Sequence, residues 1–464
     1  MTGARRGKAG PGWTLAASIL ASSLSFVDGS VTNVALPAIQ QDLSADAAQL
    51  QWVINAYLLP LSALLLLGGA AGDRFGRRRM FAGGIAGFAI ASLVCALAPT
   101  LEVLLVGRFI QGAAAAMLLP SSLALLGTVY SGPARGRAIG TWAASTTVFA
   151  AIGPLIGGWL IGAVGWRAIF YINLPLAAGA LVLAFAKVAE TNIGKERLDW
   201  LGVGLATLAL GAITWGLTVL SGADPQPRAG LAAAIAGAIG LAAFVWVEAR
   251  QGKHAGMPLD LFGTSSFAGL TLLTFLLYAA LGSALLLIPY LLIENYGFSP
   301  LLAGAALLPV PVILGGASRF MGELSARIGP RWPLTLGPLV VGVGFALAAR
   351  IEPGASYWTT LFPALVVVAC GMAGAVAPLT TAVMASVDAR HVGTANGFNS
   401  AIARTGGLIA TALLGSVLAA QGPALDAAFD RAVLAAAVAA TLAGLAALIL
   451  LRPHEIATSG AVPH

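Results

Sequence analysis

The stretch Gly68–Met80, GGAAGDRFGRRRM, closes one long apolar segment, sets one acid among four arginines, and opens another apolar segment. Five charged residues between two segments of roughly 20 apolar residues, the length that spans a bilayer core, must lie outside the hydrocarbon. Four arginines assign them to the cytoplasmic face, where loops concentrate basic residues. Small residues before the acid allow close backbone approach, and Gly76 offers a turn position that tolerates positive φ. The sequence predicts a tight charged hairpin joining two membrane helices.

Composition extends this reading to the whole chain. Of 464 residues, 58% are hydrophobic and 9% charged, against about 25% charged in an ordinary soluble domain. The net charge of +7 arises from basic residues in short loops, so topology explains it better than a nucleic-acid partner. Cys95 and Cys370 both fall in apolar stretches and read as small packing residues, with neither a disulfide framework nor a metal site. The basic start, Arg5, Arg6 and Lys8, precedes an apolar run that continues to Pro37, which fits an uncleaved first span.

Segments long enough to cross fall at about 13–37, 48–70, 80–99, 102–129, 138–162, 168–187, 200–220, 230–249, 266–290, 300–318, 333–349, 357–383, 393–419 and 432–451. That is fourteen, an all-α polytopic membrane protein. Of the 25 Lys and Arg, 19 fall in segments on the side of the N-terminus. Only Arg167, Arg228, Arg350 and Arg431 fall on the other side, while Arg108 and Arg404 lie within spans. This asymmetry predicts both termini in the cytoplasm.

A repeat is the second organising signal. Shifting the chain by 253 residues pairs Gly69 with Gly322, Arg74 with Arg327, Gly76 with Gly329, Arg78 with Arg331, Arg137 with Arg390 and Gly153 with Gly406, and it brings Pro37 beside Pro289. Duplicated halves are the rule in transporters of this size. The division expected is a six-helix bundle at 1–192, a two-helix insert at 193–258 and a second six-helix bundle at 259–464.

The opening stretch resembles the loop signature of the major facilitator superfamily. FVDGSVTNVALP at Phe26–Pro37, GRFIQG at Gly107–Gly112, GPLIGG at Gly153–Gly158 and GWRAIFYINLP at Gly165–Pro175 narrow the resemblance to its fourteen-span drug:proton antiporters. The resemblance implies the major facilitator fold, two six-helix bundles around a cavity that opens alternately to each side, with two inserted helices.

Asp28 lies midway along the first span, where an acid costs about 2.5–3.5 kcal/mol on insertion scales. Desolvation favours the protonated carboxyl, so an acid lining an intermittently wet cavity can tie its protonation to the side that is open; packing between helices is the alternative role. Arg108 and Gln111, one turn apart on one face, belong in the resembled family to a motif linked with proton transfer, with Asp28 the leading partner of Arg108. Tethering of helix backbones by Arg108 is the alternative. Gly153, Pro154, Gly157 and Gly158 form the antiporter motif, which the resemblance places at the seam between the halves; small residues at this spacing let helices approach closely.

The gating loop comprises Gly69, Asp73, Arg74, Gly76, Arg77 and Arg78. The second copy has Ala326 where the first has Asp73, and SGPARGRA at Ser131–Ala138 lacks the acid often found before its arginine. Asp73 is therefore the expected switch, bonding the N-terminus of a second-half helix when the cytoplasmic side closes. Asn33, Trp52, Asn55, Tyr57, Trp142, Phe149, Met372, Phe398, Asn399 and Arg404 are the candidates for a substrate cavity. Arg404 reads first as a structural tether; some members of the resembled family carry an acid in this region that suits cationic drugs, and its lack here argues against export of multivalent cations.

The function expected is proton-coupled export of hydrophobic or amphipathic small molecules. Export of lipids, or of an amino acid or other endogenous metabolite, fits the same motifs, and a non-transporting receptor or scaffold fits less well. The partners expected are a small-molecule substrate, protons and the lipid bilayer, with the protein a monomer in the cell membrane. Four scattered histidines and the lack of a nucleophile or metal cluster argue against an enzyme, and the absence of a phosphate-binding loop leaves an ion gradient as the energy source, with no cofactor.

Overall fold

The structure, a computed structural model, describes residues 10–190, 199–222, 225–252, 259–352, 354–387 and 392–452. Among them there are helices and turns but no strand. Thirteen helices are long and apolar enough to cross a membrane: α1 Pro11–Leu43, α2 Ala47–Phe75, α3 Arg77–Ala96, α4 Leu101–Val129, α5 within Gly132–Ala163, α6 Ala168–Lys187, α7 Trp200–Ser221, α8 Pro227–Gln251, α9 Ser265–Glu294, α10 from Pro300, α11 Arg331–Ala348, α12 Leu361–Ala385 and α14 Pro423–Leu450. Between α12 and α14 runs α13, Val392–Ala412. A Cβ on Gly397 would touch Leu66, one on Gly407 would meet Leu58, and Gln51 donates to the Ala412 carbonyl. α13 therefore lies antiparallel along α2 and makes the fourteenth crossing. Its Asn396, Asn399, Ser400, Arg404 and Thr405 account for its lower apolarity.

Several helix boundaries differ from the sequence reading, and two have a plain local reason. α13 stops at Ala412, short of 419, and a separate turn of helix follows at Gly415–Leu418. α14 begins at Pro423, well before 432, because Pro at the first helical position costs no hydrogen bond and starts the helix within a polar stretch. Cys370 also departs from expectation, being exposed, whereas Cys95 is buried.

The charged hairpin is tighter than a loop. α2 continues through Asp73 and Arg74 to Phe75, and α3 begins at Arg77, so Gly76 alone makes the turn, at φ +101°. Its counterpart at a distance of 253 residues, Gly329, sits between α10 and α11 at φ +83°. Glycine is the residue that reaches this region without strain. Arg78 donates to the Val188 carbonyl just past α6, and Arg331 donates to the Leu448 carbonyl near the end of α14. A Cβ on Gly153 would collide with α1 at Ser30, and one on Gly406 with α9 at Phe275. The repeat read in the sequence is thus a repeat of contacts. Arg390, the partner of Arg137, lies outside the described residues.

The helices α1–α6 and α9–α14 meet most closely at the end away from Gly76 and Gly329. There Tyr290 donates to Gln40 at 3.2 Å, a Cβ on Gly158 would fall 2.4 Å from the Pro300 carbonyl, and one on Gly304 2.3 Å from the Pro154 carbonyl. α7 packs on α2 and α13, with Ser221 donating to the Ala412 carbonyl at 2.7 Å, and α8 packs outside α7.

Close approach within the first six helices depends on absent side chains. A Cβ on Gly112 of α4 would lie 2.2 Å from the Tyr57 carbonyl of α2, whereas one on Gly83 of α3 would meet nothing. Gly112→Ala is expected to lose about 1–3 kcal/mol to overpacking, seen as a lower melting temperature in detergent, while Gly83→Ala leaves melting unchanged or raises it.

Candidate functional site

Asp28 on α1 is completely buried, with a relative exposure of 0%, and Arg108 on α4 is 1% exposed. A charge so desolvated persists only if paired and hydrogen-bonded. Arg108 Nη1 donates to Asp28 Oδ2 and, at 2.9 Å, to Gln111 Oε1, and Arg108 Nε donates to the Val53 carbonyl of α2 at 3.1 Å. Gln111 Nε2 donates to Asp28 Oδ1 at 3.1 Å and to Ser92 Oγ of α3 at 2.9 Å. Its carbonyl faces the guanidinium and its amide faces the carboxylate, so one side chain serves both charges. The structure brings Asp28, Arg108 and Gln111 together.

Asn173 of α6 completes the cluster, donating to Asp28 Oδ1 at 3.1 Å and to Ser92 at 3.3 Å. Neither Asn173 nor Ser92 stood out in the sequence. The signal for Asn173 was its place in the GWRAIFYINLP motif, a polar amide in an otherwise apolar helix. Five helices, α1, α2, α3, α4 and α6, thus converge on one carboxylate and one guanidinium.

A cavity of about 110 Å³ lies beside this cluster, between the two sets of six helices, lined by Gly29, Asn33, Tyr57, Leu58, Arg108 and Gly282 among others. The Tyr57 ring lies 4.5 Å from the Arg108 guanidinium carbon, and the Tyr57 hydroxyl is held by Ser25 at 2.5 Å. Arg108 and Tyr57 therefore form the wall between Asp28 and the cavity. Asn33 and Tyr57 are among its lining residues. Trp142 is near its approach from the charged end, donating to Ser22 at 3.0 Å and meeting Phe26 edge-on at 6.4 Å; Phe149 of α5 is half-buried.

Other cavity candidates are placed elsewhere. Trp52 packs with Leu59, Leu210 and Leu408 on the α7 side of α2. Met372 is in the apolar core with α9–α14, and Phe398 stacks on Phe267 and meets Phe262 edge-on. Asn399 accepts from Thr274 at 2.6 Å, a bond between α13 and α9. Asn55 is fully buried and neither of its amide atoms has a partner among the described residues. In a helix apolar on all sides, hydrophobic periodicity does not tell the core face from the cavity face, which is why these residues looked alike in the sequence.

The glycine motif divides between two partners. Gly153 and Gly157 press against Ser30 and Val31 of α1, while Gly158 and the Pro154 carbonyl face α10. Only the second pair is at the seam between the two sets of helices.

In the charged hairpin, Asp73 pairs with Arg77 across the Gly76 turn at 2.8 Å rather than with a second-half helix. Arg77 also reaches the Ala124 carbonyl of α4 at 3.3 Å. Arg74 lies over the Phe75 ring, and Gly69 is spaced against Pro120 of α4. Glu190, beyond α6, accepts from the Arg78 amide at 3.1 Å and faces Arg79 at 3.7 Å. It supplies the negative charge that a helix N-terminus crowded with arginines lacks.

The fold and this buried, polar-centred bundle define a multi-helix membrane transporter. A sequence model of the Major Facilitator Superfamily matches residues 18–270 and again 270–464, and the chain belongs to that superfamily. Relatives include the multidrug resistance protein Stp of Mycobacterium tuberculosis, 34% identical over 88% of this chain and 76% of its own length. The puromycin resistance protein pur8 of Streptomyces alboniger is 34% identical over 87% and 81% of the two chains. The tetracenomycin C resistance and export protein of Streptomyces glaucescens is 31% identical over 90% and 77%. A bacterial homologue of the lysosomal transporter Spinster, solved inward-facing and unoccupied, superposes with a TM-score of 0.66 over all of both chains at 17% identity. The chain is accordingly a multi-pass protein of the cell membrane, in a drug-efflux branch of the superfamily.

Removing Asn173 leaves Asp28 with one donor fewer. Asn173→Ala is expected to cost about 1–3 kcal/mol, whereas Arg108→Ala, which strands the acid, costs about 3–5 kcal/mol. Melting of the purified protein in detergent ranks the two, and an equal or reversed ranking would place the burden of the cluster on the amide.

Proposed function

We propose that this chain is a proton-coupled antiporter that exports hydrophobic or amphipathic small molecules, drugs and antibiotics among them, by alternating access. The observation that carries the reading is the position of Asp28, shut behind Arg108 and Tyr57 at the wall of the central cavity. While Arg108 holds it, the carboxyl group is paired and closed off from the cavity. When Arg108 swings away, an unpaired acid in apolar surroundings takes up a proton, because the neutral form is the one such a site tolerates. Proton binding and the arrangement of five helices are thereby linked.

The charge bias of the loops supports cytoplasmic termini, and the end bearing Gly76 and Gly329 is then the inner one. With the contacts between the halves concentrated at the outer end, the cavity faces the cytoplasm. Asp73 in this state is held by Arg77, and its transfer to a second-half helix belongs to the inward-closed state. The gradient of protons is the energy source, no cofactor takes part, and one chain suffices for transport. The names of the relatives support drugs as substrates over lipids or metabolites.

In inverted membrane vesicles, Asp28→Asn is expected to abolish substrate uptake driven by a proton gradient while preserving exchange of labelled for unlabelled substrate. Uptake that survives the substitution would remove Asp28 from coupling. Reporter fusions after about residues 225 and 290 should read outside the cytoplasm; a cytoplasmic signal at either position would overturn the orientation.

A further inference from the structure

The molecule holds two arginines within its spans, and the structure treats them oppositely. Arg108 spends its donors on Asp28, Gln111 and the Val53 carbonyl. Arg404 of α13, half-buried, donates no hydrogen bond and enters no ion pair among the described residues. Its nearest ring contact is Phe26 of α1, whose centroid lies 5.9 Å from the guanidinium carbon. The side chain therefore spans the gap between the halves without an anion to meet it there.

Position and surroundings indicate what such an anion is. The antiparallel contacts of α13 with α2 set Gly407 against Leu58, which puts Arg404 level with Leu61, about 6 Å or one turn from Tyr57 toward the charged end. Gly407 itself lines the central cavity, as does Gly29, one turn from Phe26. Arg404 thus stands on the route from the charged end to the cavity. The Tyr57 and Tyr278 hydroxyls lie within electrostatic range of it, and Trp142 packs on Phe26. Asp28, the one acid of this region among the described residues, is consumed by Arg108. The cavity and its approach consequently carry net positive charge, walled by aromatic rings.

We propose that Arg404 is a specificity-determining residue that binds an ionised oxygen, carboxylate or phenolate, on a substrate with a planar aromatic body seated against Phe26, Tyr57 and Trp142. A guanidinium offers five donors in a flat fork that matches a carboxylate and stacks on rings. In a half-desolvated site its charge stays costly until an anion arrives. The site rests on the exporter reading for its purpose and selects organic anions over neutral molecules and cations.

The test uses the full-length protein in lipid nanodiscs with three probes of one shape: anthracene-9-carboxylate, its methyl ester and 9-(aminomethyl)anthracene. Binding is followed by quenching of tryptophan fluorescence, with protein-free nanodiscs subtracted. The carboxylate is expected to bind about 10- to 100-fold more tightly than the ester or the amine, the range of one charged hydrogen-bonded contact. Arg404→Gln should erase that preference, and Arg404→Lys, which keeps the charge without the fork, should retain part of it; melting curves establish that both variants are folded. Preference for the ester or amine, binding of none of the probes, or a preference unchanged in Arg404→Gln overturns the proposal. Proton-driven flux of the probes into vesicles is read separately, so a failure of transport with intact Arg404-dependent selectivity counts against the exporter reading alone.

Discussion

A carboxylate and a guanidinium with no access to water are the constraint from which the first six helices take their arrangement. Neither Asp28 nor Arg108 is tolerable alone at that depth, and together they leave lone pairs and protons that still need partners. Gln111, Asn173, Ser92 and the Val53 carbonyl meet those needs, and each comes from a helix that must stand in a defined place to do so. Around the cluster, Gly107 and Gly112 of α4 bring the backbones of α3 and α2 close enough for the polar groups to reach. Small residues and buried charge are two halves of one design: the glycines permit the approach and the ion pair requires it.

The second six helices repeat the scaffold without the charges. Gly329 repeats the turn of Gly76, Arg331 the carbonyl contact of Arg78, and Gly406 the close approach of Gly153. Where the first half has an acid with its arginine, the second presents Arg404 with an aromatic ring for company. Packing is duplicated and chemistry is not.

Much of this was legible in the sequence, and the physics says which part. Span number follows from bilayer thickness, and the repeat from one constant offset. Asp28, Arg108 and Gln111 stood out because ionised groups are rare and costly in apolar helices. Neutral polar residues carry no such penalty, so Asn173 and Ser92 passed unnoticed. Trp52, Met372 and Phe398 were misjudged for the opposite reason: in a helix bounded by lipid on one side and protein on the other, both faces are apolar. The turn at Gly76 was legible from its glycine, but not that the helix before it runs on through Asp73 and Arg74, because charged residues suggest a loop where arginines can also complete a helical turn.

The hairpin of α7 and α8 gives the molecule a front and a back in the plane of the bilayer. Where α2 meets α13, α7 covers the seam, and Ser221 ties it to the end of α13. At the opposite seam no helix pair covers the boundary among the described residues, and Val148, Ile152 and Trp159 of α5 and Leu302 and Val312 of α10 stand exposed. One seam slides against protein of fixed shape, the other against a fluid that yields. Any rotation of one set of six helices against the other would therefore meet unequal resistance on the two sides.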